Sequence, residues 1–218
     1  PPSTRHFTLR YARLSGLLAL CLLCAAPAWA QAREVRVGVY ANEPKILLGQ
    51  DGKLSGIFGE LLNEIARQED WQLLPQPCEW QQCLERTQRG EIDLLPDVAY
   101  NDSRAQVLDF HKQPALFSWS QLYSQGDLRL ASLLDLQGRR IAVLQGSVQQ
   151  EYLKNLLDSF GIQAELLPQN SLLDGFALVA SGGADAAVAN QRFGDFQAPR
   201  FGLRDTTIMS MDKTNRQQ

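Results

Sequence analysis

The sequence predicts an α/β protein of two lobes with mostly parallel sheets. Two copies of a strand–helix–strand–helix–strand pattern follow one another, and the second copy begins near residue 130. Each copy carries a G-x-x-D motif after its second helix, at 90–93 and at 182–185. Alternating strands and helices are typical of parallel sheets with helices on both faces. Ligands bind beyond the carboxyl ends of such strands, so we expect the site at the interface of the lobes.

The elements of the first copy follow from hydrophobic spacing. Residues 35–39 alternate and contain β-branched side chains, which favours a strand. Apolar side chains in 57–67 recur at helical spacing, and a second helix is predicted at 80–88. Short apolar runs predict further strands at 71–74 and 92–96.

The second copy repeats this order with clearer helix boundaries. Ser147 and Gln150 form a capping-box pattern at the start of a helix, and Gly161 is a typical left-handed residue at its end. A similar start occurs at Ser171 and Asp174. The predicted strands are 140–144, 164–167 and 184–189, and the predicted helices are 147–160 and 171–180.

The N-terminal residues 1–30 have the pattern of a secretory signal peptide. Arg5, Arg10 and Arg13 form a basic region, an apolar stretch follows at 14–27, and Ala28–Ala30 is a small-x-small cleavage site. The alternative is an uncleaved membrane anchor, although the apolar stretch is shorter than the ~20 residues that span a bilayer. We therefore predict export to the periplasm.

Charge and cysteine content restrict the partners. The net charge is −3, with 24 acidic and 21 basic residues, which argues against nucleic acid and anionic membrane surfaces. Cys78 and Cys83 are the only cysteines outside the predicted leader, and an oxidising compartment favours a disulfide between them. Free thiols are the alternative. A zinc site is disfavoured because zinc needs four ligands and no histidine is near, so no metal or cofactor is expected.

Eight short motifs carry a further signal through their order and spacing: Val35–Val39, Glu43–Pro44, Asp51–Gly56, Gly90–Asp93, Asn101–Arg104, Asp109–Phe110, Leu136–Val143 and Gln145–Ser147. Together they resemble the bacterial periplasmic solute-binding proteins of family 3, and most closely the members attached to sensors. The resemblance spans about residues 34–208.

The resemblance implies a Venus-flytrap fold, in which two lobes close on a small ligand. The implied organisation is a first lobe at 31–122, a second lobe at 123–192, a return segment toward the first lobe at 193–209 and a disordered tail at 210–218. The tail has almost no apolar side chains, so it cannot bury a face. We expect the C-terminal part to be truncated and the first lobe to be incomplete, with apolar surface exposed on its helix at 57–66.

Arg104 is the first candidate for ligand binding. In family members that bind amino acids, the resemblance places an arginine at this position on the ligand's α-carboxylate. A guanidinium suits this role because its planar donors match a carboxylate bidentately. Gly146 and Ser147 open a helix whose backbone N–H groups could hold an anion from the second lobe. A plain N-cap at Ser147 explains the same residues equally well.

Two further candidates bear on the ligand's charge. Many amino-acid carriers of the family have an aspartate where this chain has Asn190, and an amide cannot supply a negative charge to an ammonium group. Asp97 follows the predicted strand at 92–96 and could supply an acid from the first lobe. The alternative for Asp97 is a loop aspartate that caps a local turn.

Trp80, Tyr40 and Asn42 are candidate walls of the site. Trp80 lies where the family places a pocket residue at the start of a helix. Aromatic faces suit an apolar stem or a cation, while packing in the core is the alternative for both rings.

The predicted function is binding of a small polar ligand, amino-acid-like or a carboxylate, without chemistry. The partner is an ABC permease in uptake, or the protein's own transmembrane signalling modules in sensing. A dehydratase-like enzyme on the same fold is the alternative, with Asp97 as its acid. The sequence gives little support to the hypothesis of an enzyme. His111 is the one histidine outside the predicted leader, and no catalytic motif is present.

Overall fold

The computed structural model describes residues 32–128 and 130–206. The predicted leader at 1–30 and the predicted tail at 210–218 lie outside the described residues. No helix in the described ranges combines the length and the apolar character needed to cross a membrane.

The first lobe is built on two parallel strands. Strands β1 and β4 pair along their whole length. A short antiparallel hairpin, β2 with β3, precedes the first long helix. The elements are β1 (Arg33–Val39), β2 (Leu47–Leu48), β3 (Leu54–Ser55), α1 (Gly56–Glu69), β4 (Trp71–Pro77), α2 (Trp80–Gln88) and α3 (Asp102–Ala105).

The predicted strand at 92–96 is wrong. The chain contacts β1 there through a single parallel bridge between Val37 and Leu94, with the Gly38 N–H donating to the Leu94 carbonyl at 2.9 Å. Pro96 has no N–H to donate, and the backbone of the next residue, Asp97, turns into the left-handed region with φ of 63°. A ladder cannot continue through these two residues.

The second lobe contains a five-stranded sheet with the order β7-β6-β8-β5-β9. Strand β6 is parallel to β7 and β8, while β5 is antiparallel to β8 and β9. The sheet is therefore mixed, with two parallel and two antiparallel pairings, whereas the sequence predicted mostly parallel sheets. Its elements are β5 (Ser120–Gln125), a 3₁₀ turn (Leu133–Leu136), β6 (Arg140–Leu144), α4 (Val148–Ser159), β7 (Glu165–Gln169), α5 (Leu172–Ala180), β8 (Ala186–Asn190), α6 (Gln191–Gln197), a 3₁₀ turn (Ala198–Phe201) and β9 (Leu203–Asp205).

Strand β5 brings the chain into the second-lobe sheet, and β9 pairs with it there. Strand β5 enters the second-lobe sheet across the predicted boundary at 122/123. Strand β9 runs antiparallel to it, and the Thr206 N–H donates to the Leu122 carbonyl at 2.9 Å. The chain at Thr206 is thus directed back toward the start of β5. The rest of the predicted return segment, 207–209, lies outside the described residues.

The G-x-x-D motif has the same role in both lobes. In the first lobe Asp93 accepts the backbone N–H of Arg36 at 2.8 Å and its guanidinium at 2.7 Å, while Arg36 also donates to the Gly90 carbonyl. In the second lobe Asp185 accepts the backbone N–H of Arg140 at 2.8 Å and its guanidinium at 3.2 Å. The motif therefore joins the turn after a helix to β1 in the first lobe and to β6 in the second.

Each lobe has its own core, and a third buried cluster spans both. In this shared cluster Tyr40 and Trp80 of the first lobe pack with Leu144 and Phe176 of the second. Burying an apolar side chain of this size contributes about 1.5–3 kcal/mol, so the shared cluster favours contact between the lobes.

Helix α1 leaves part of its apolar surface uncovered. Ile57 and Leu61 are 40% and 43% exposed, although Phe58 and Leu62 on the same helix are buried. An open groove of about 730 Å³ lies along this side of the first lobe. The apolar surface expected at 57–66 is present in the structure.

Candidate functional site

The central cavity lies between the lobes, and every predicted binding residue except Gly146 lines it. Its volume is about 20 Å³, which is room for about one water molecule. The lobes are therefore closed on each other. The lining residues are Tyr40, Asn42, Lys45, Trp80, Asp97, Ala99, Arg104, Leu144, Ser147, Val148, Gln149, Leu172 and Asn190.

A buried ion pair forms the floor of this cavity. The Lys45 Nζ lies 2.7 Å from Asp97 Oδ1, and both side chains are 0% exposed. Burial lowers the pKa of Lys45, and the charge of Asp97 opposes that shift. Burial likewise raises the pKa of Asp97, opposed by Lys45. Lys45 was missed in the sequence, because nothing local in the loop after β1 indicates a buried lysine.

The other carboxylate oxygen of Asp97 is also satisfied. The Tyr40 hydroxyl donates to Oδ2 at 2.9 Å, and the Asn42 amide donates to the same oxygen. Asn42 also donates to the Tyr40 hydroxyl oxygen at 2.9 Å. Burial raises the pKa of Tyr40, so its hydroxyl remains a donor at neutral pH. Tyr40 and Asn42 thus hold Asp97 in place as much as they line the cavity.

Asn190 connects this network to the second lobe. It ends β8, and its Oδ1 caps α6 by accepting the Phe193 N–H at 3.0 Å. Its Nδ2 donates to Asn42 Oδ1 at 3.1 Å. Both ends of the amide are therefore used.

Arg104 crosses from the first lobe to the second. It lies on α3, where Asn101 accepts its backbone N–H at 2.7 Å as the N-cap. Its guanidinium donates to the carbonyls of Ala99 at 2.8 Å and Gly146 at 3.1 Å, and it lies 5.3 Å from the ring centre of Trp80. Burial lowers the pKa of Arg104. The side chain still carries its charge at neutral pH, because arginine is not deprotonated in proteins.

The predicted anion site at Gly146 and Ser147 is not formed by their own N–H groups. The Gly146 N–H donates to Gln150 Oε1 at 2.8 Å, and the Ser147 N–H donates to the Leu144 carbonyl at 3.1 Å. The Ser147 hydroxyl accepts the Gln150 N–H at 3.1 Å, as a plain N-cap does. The capping box is therefore altered, since Gln150 reaches back to Gly146 rather than to Ser147.

Gly146 allows the lobes to approach closely. Its φ is 70°, and a Cβ at this position would collide with Gln81 Oε1 on α2 of the first lobe. Only glycine adopts that backbone conformation freely and leaves the space empty. The role of Gly146 in the structure is thus its backbone shape and its carbonyl, which accepts from Arg104.

Cys78 and Cys83 form a disulfide at the start of α2, with their Cα atoms 5.4 Å apart. The bridge fixes the loop that positions Trp80. Within the described ranges no group of three or more His, Cys, Asp or Glu side chains is arranged to hold a metal ion.

Residues 35–129 match the model of bacterial extracellular solute-binding proteins, family 3. The resemblance to family 3 is confirmed. The proteins that this chain resembles are binding proteins rather than enzymes.

Two curated relatives extend the match beyond the first lobe. The chain is 28% identical over 183 residues to the L-arginine-binding protein of Pseudomonas aeruginosa, covering 81% of this chain and 68% of that protein. It is 26% identical over 121 residues to the probable histidine-binding protein of Campylobacter jejuni, covering 55% of this chain and 47% of that protein. The chain thus spans less than half the length of the second relative.

Solved structures share the two-lobed fold. An ancestral arginine-binding protein bound to arginine has a TM-score of 0.74 and 21% identity, covering 86% of this chain and 84% of that chain. A histidine kinase sensor domain with similarity to periplasmic binding proteins has a TM-score of 0.72 and 24% identity, covering 84% and 79%. At these identities the comparison concerns the fold.

Proposed function

We propose that this domain binds a small solute in the central cavity through a carboxylate held by Arg104. The observation that carries the proposal is that Arg104 forms no ion pair within the described residues. Its two side-chain hydrogen bonds use backbone carbonyls, which leaves three of the five guanidinium N–H donors for a ligand. A partly buried, charged and incompletely satisfied guanidinium favours an anionic partner.

The local charge supports an anion. The charged residues lining the cavity are Lys45, Arg104 and Asp97, which together carry a formal charge of about +1 at neutral pH. Amino acids, which the names of the two curated relatives identify as ligands of those proteins, also carry a carboxylate. The dehydratase alternative is disfavoured because Asp97, its candidate acid, is held by Lys45.

The cellular role follows from the N-terminus and the family. A basic, apolar and small-residue leader at 1–30 supports export, and the matching family is described as extracellular. The domain then supplies solute to an ABC permease or acts as the input domain of a membrane sensor. Both roles use the same closure of two lobes on a ligand.

The test is a thermal-shift screen of the purified protein against amino acids and small carboxylates, followed by calorimetry. A ligand at 100 times its Kd adds about 2.7 kcal/mol to the folded state, which gives a measurable shift. Arg104→Lys should weaken binding about tenfold to hundredfold, because a point charge cannot replace a bidentate contact.

The matched control is Arg67→Gln on helix α1, which removes an exposed arginine far from the cavity and should leave affinity unchanged. Equal affinities for wild type and Arg104→Lys would show that Arg104 does not hold the carboxylate. A screen in which no carboxylate shifts the melting temperature would contradict the proposal as a whole.

A further inference from the structure

We propose that the cavity selects a carboxylate without an ammonium group, such as an α-keto acid, over the matching α-amino acid. This inference rests on the proposed function and specifies its ligand class. Its basis is the distribution of hydrogen-bond donors and acceptors around the cavity. The cavity offers donors to a ligand, while its acidic oxygens are already occupied.

Asp97 cannot serve an ammonium group as it stands. Its Oδ1 accepts from Lys45 at 2.7 Å, and its Oδ2 accepts from both Tyr40 and Asn42. The side chain has no exposed surface. A second cation placed beside it would meet the positive charge of Lys45 at close range, and like charges at such distances repel strongly in a dry site.

The remaining side chains that could accept a hydrogen bond from an ammonium group are uncharged, already hydrogen-bonded or outside the cavity. Asn190 uses its Oδ1 for the cap of α6 and its Nδ2 for Asn42. Glu43 accepts from Gln197 at 3.1 Å and does not line the cavity. Glu151 is exposed and does not line it either.

The donors, in contrast, are incompletely used. Trp80 lines the cavity and is 5% exposed, yet its buried indole N–H has no hydrogen-bond partner within the described residues. Arg104 has N–H groups to spare, and so does the N-terminus of helix α4. There the N–H groups of Val148 and Gln149 find no acceptor in the described part of the chain.

An unsatisfied buried donor is costly because it loses its hydration without replacement, so the indole N–H of Trp80 favours a ligand rich in acceptors. A carboxylate paired with a keto oxygen supplies acceptors only. An α-amino acid brings three N–H donors of its own ammonium group to a cavity whose acidic oxygens are occupied, and they would lose their hydration without replacement.

The experiment compares matched ligands on the purified protein by calorimetry. The probes are pyruvate against L-alanine, 2-oxoglutarate against L-glutamate, and phenylpyruvate against L-phenylalanine. We expect the keto acid of at least one pair to bind about tenfold or more tightly than its amino acid, which is the size of one lost charged hydrogen bond. An amino acid that binds as tightly as its keto acid would overturn this inference and leave the proposed function intact. Failure of every probe to bind would overturn both.

Two substitutions test the residues. Trp80→Phe keeps the ring over Arg104 but removes the N–H, so it should weaken keto-acid binding about tenfold, while Trp71→Phe, a tryptophan outside the cavity, should not. Asn190→Asp keeps the oxygen that caps α6 and adds one negative charge beside the cavity, so it should shift the preference toward the amino acid. Melting curves identify any variant that fails to fold. An unchanged keto-acid affinity in folded Trp80→Phe, or an unchanged preference in folded Asn190→Asp, would overturn the assignment of donors and acceptors.

Discussion

Replacing Lys45 by methionine should strongly destabilise the protein, although it removes a charged group from the interior. Lys45 and Asp97 are both 0% exposed, and their charged atoms lie 2.7 Å apart. Removing one partner of a buried pair leaves an uncompensated charge, which costs about 3–5 kcal/mol. Tyr40 and Asn42 would still donate to Asp97, so we expect the lower part of that range.

The loss should depend on pH in a defined direction. Burial already raises the pKa of Asp97 in the wild type, and loss of Lys45 removes the charge that opposes this shift. A carboxyl group whose folded pKa exceeds its unfolded value near 3.9 stabilises the fold when protonated and loses that contribution as the pH rises. The gap between variant and wild type should therefore narrow as the pH falls from 7 toward 4.

Urea denaturation at several pH values measures both effects. Lys154→Met is the matched control because its pair with Asp158 is 65% and 63% exposed, and losing such a pair costs about 1 kcal/mol or less. In a double-mutant cycle, Lys45→Met with Asp97→Asn should recover much of the loss, since asparagine tolerates the positive φ. A cost below about 1 kcal/mol for Lys45→Met, or a gap that is independent of pH, would refute the reasoning.

Three further predictions concern other parts of the fold. Gly146→Ala and Gly138→Ala should each lower the free energy of unfolding by about 1–2 kcal/mol in urea denaturation, because both residues have positive φ and the Gln81 side chain that a Cβ at position 146 would meet can move aside. An unchanged free energy of unfolding at either position would contradict the left-handed backbone. Replacing Cys78 and Cys83 by serine should lower the free energy of unfolding by about 2 kcal/mol, because the disulfide closes only a short loop. A titration that finds two free thiols in the oxidised wild type would contradict the disulfide. The hydrogen bond from the Arg36 guanidinium lowers the pKa of Asp93 to about 2. Asp93→Asn should therefore lower the free energy of unfolding at pH 7, and the difference from wild type should disappear as the pH falls from 4 through 2. A difference in unfolding free energy that persists at lower pH would be inconsistent with the ion pair.

Local patterns predicted the helices well and named residues that lie together in the structure. The helix predicted at 80–88 has those bounds in the structure, and the N-caps at Ser147 and Ser171 form as expected. These features depend on neighbouring residues, which is why hydrophobic spacing and capping signals reveal them. The position of the site beyond strand ends follows from topology, and seven of the eight predicted binding residues line one cavity.

The errors arose where distant residues decide the outcome. Lys45 is buried because it meets Asp97, which is 52 residues away, and no local pattern encodes that meeting. The strand predicted at 92–96 has strand-like apolar residues, but the turn that Asp97 makes to reach Lys45 removes it from the ladder. The N–H groups of Gly146 and Ser147 were expected to face a ligand, and instead the side chain of Gln150 and the end of β6 use them.

The hydrogen bond between Arg104 and the Gly146 carbonyl joins the two lobes directly, so binding of a solute competes with it. A cavity of about 20 Å³ admits no solute larger than water, so binding must begin from lobes that have separated and broken this contact. The apparent Kd is then the intrinsic Kd divided by the open fraction, and a fraction of about 1% would weaken binding about a hundredfold. The strength of this single contact between the lobes therefore helps to set the solute concentration at which the domain responds, although the contact does not involve the solute.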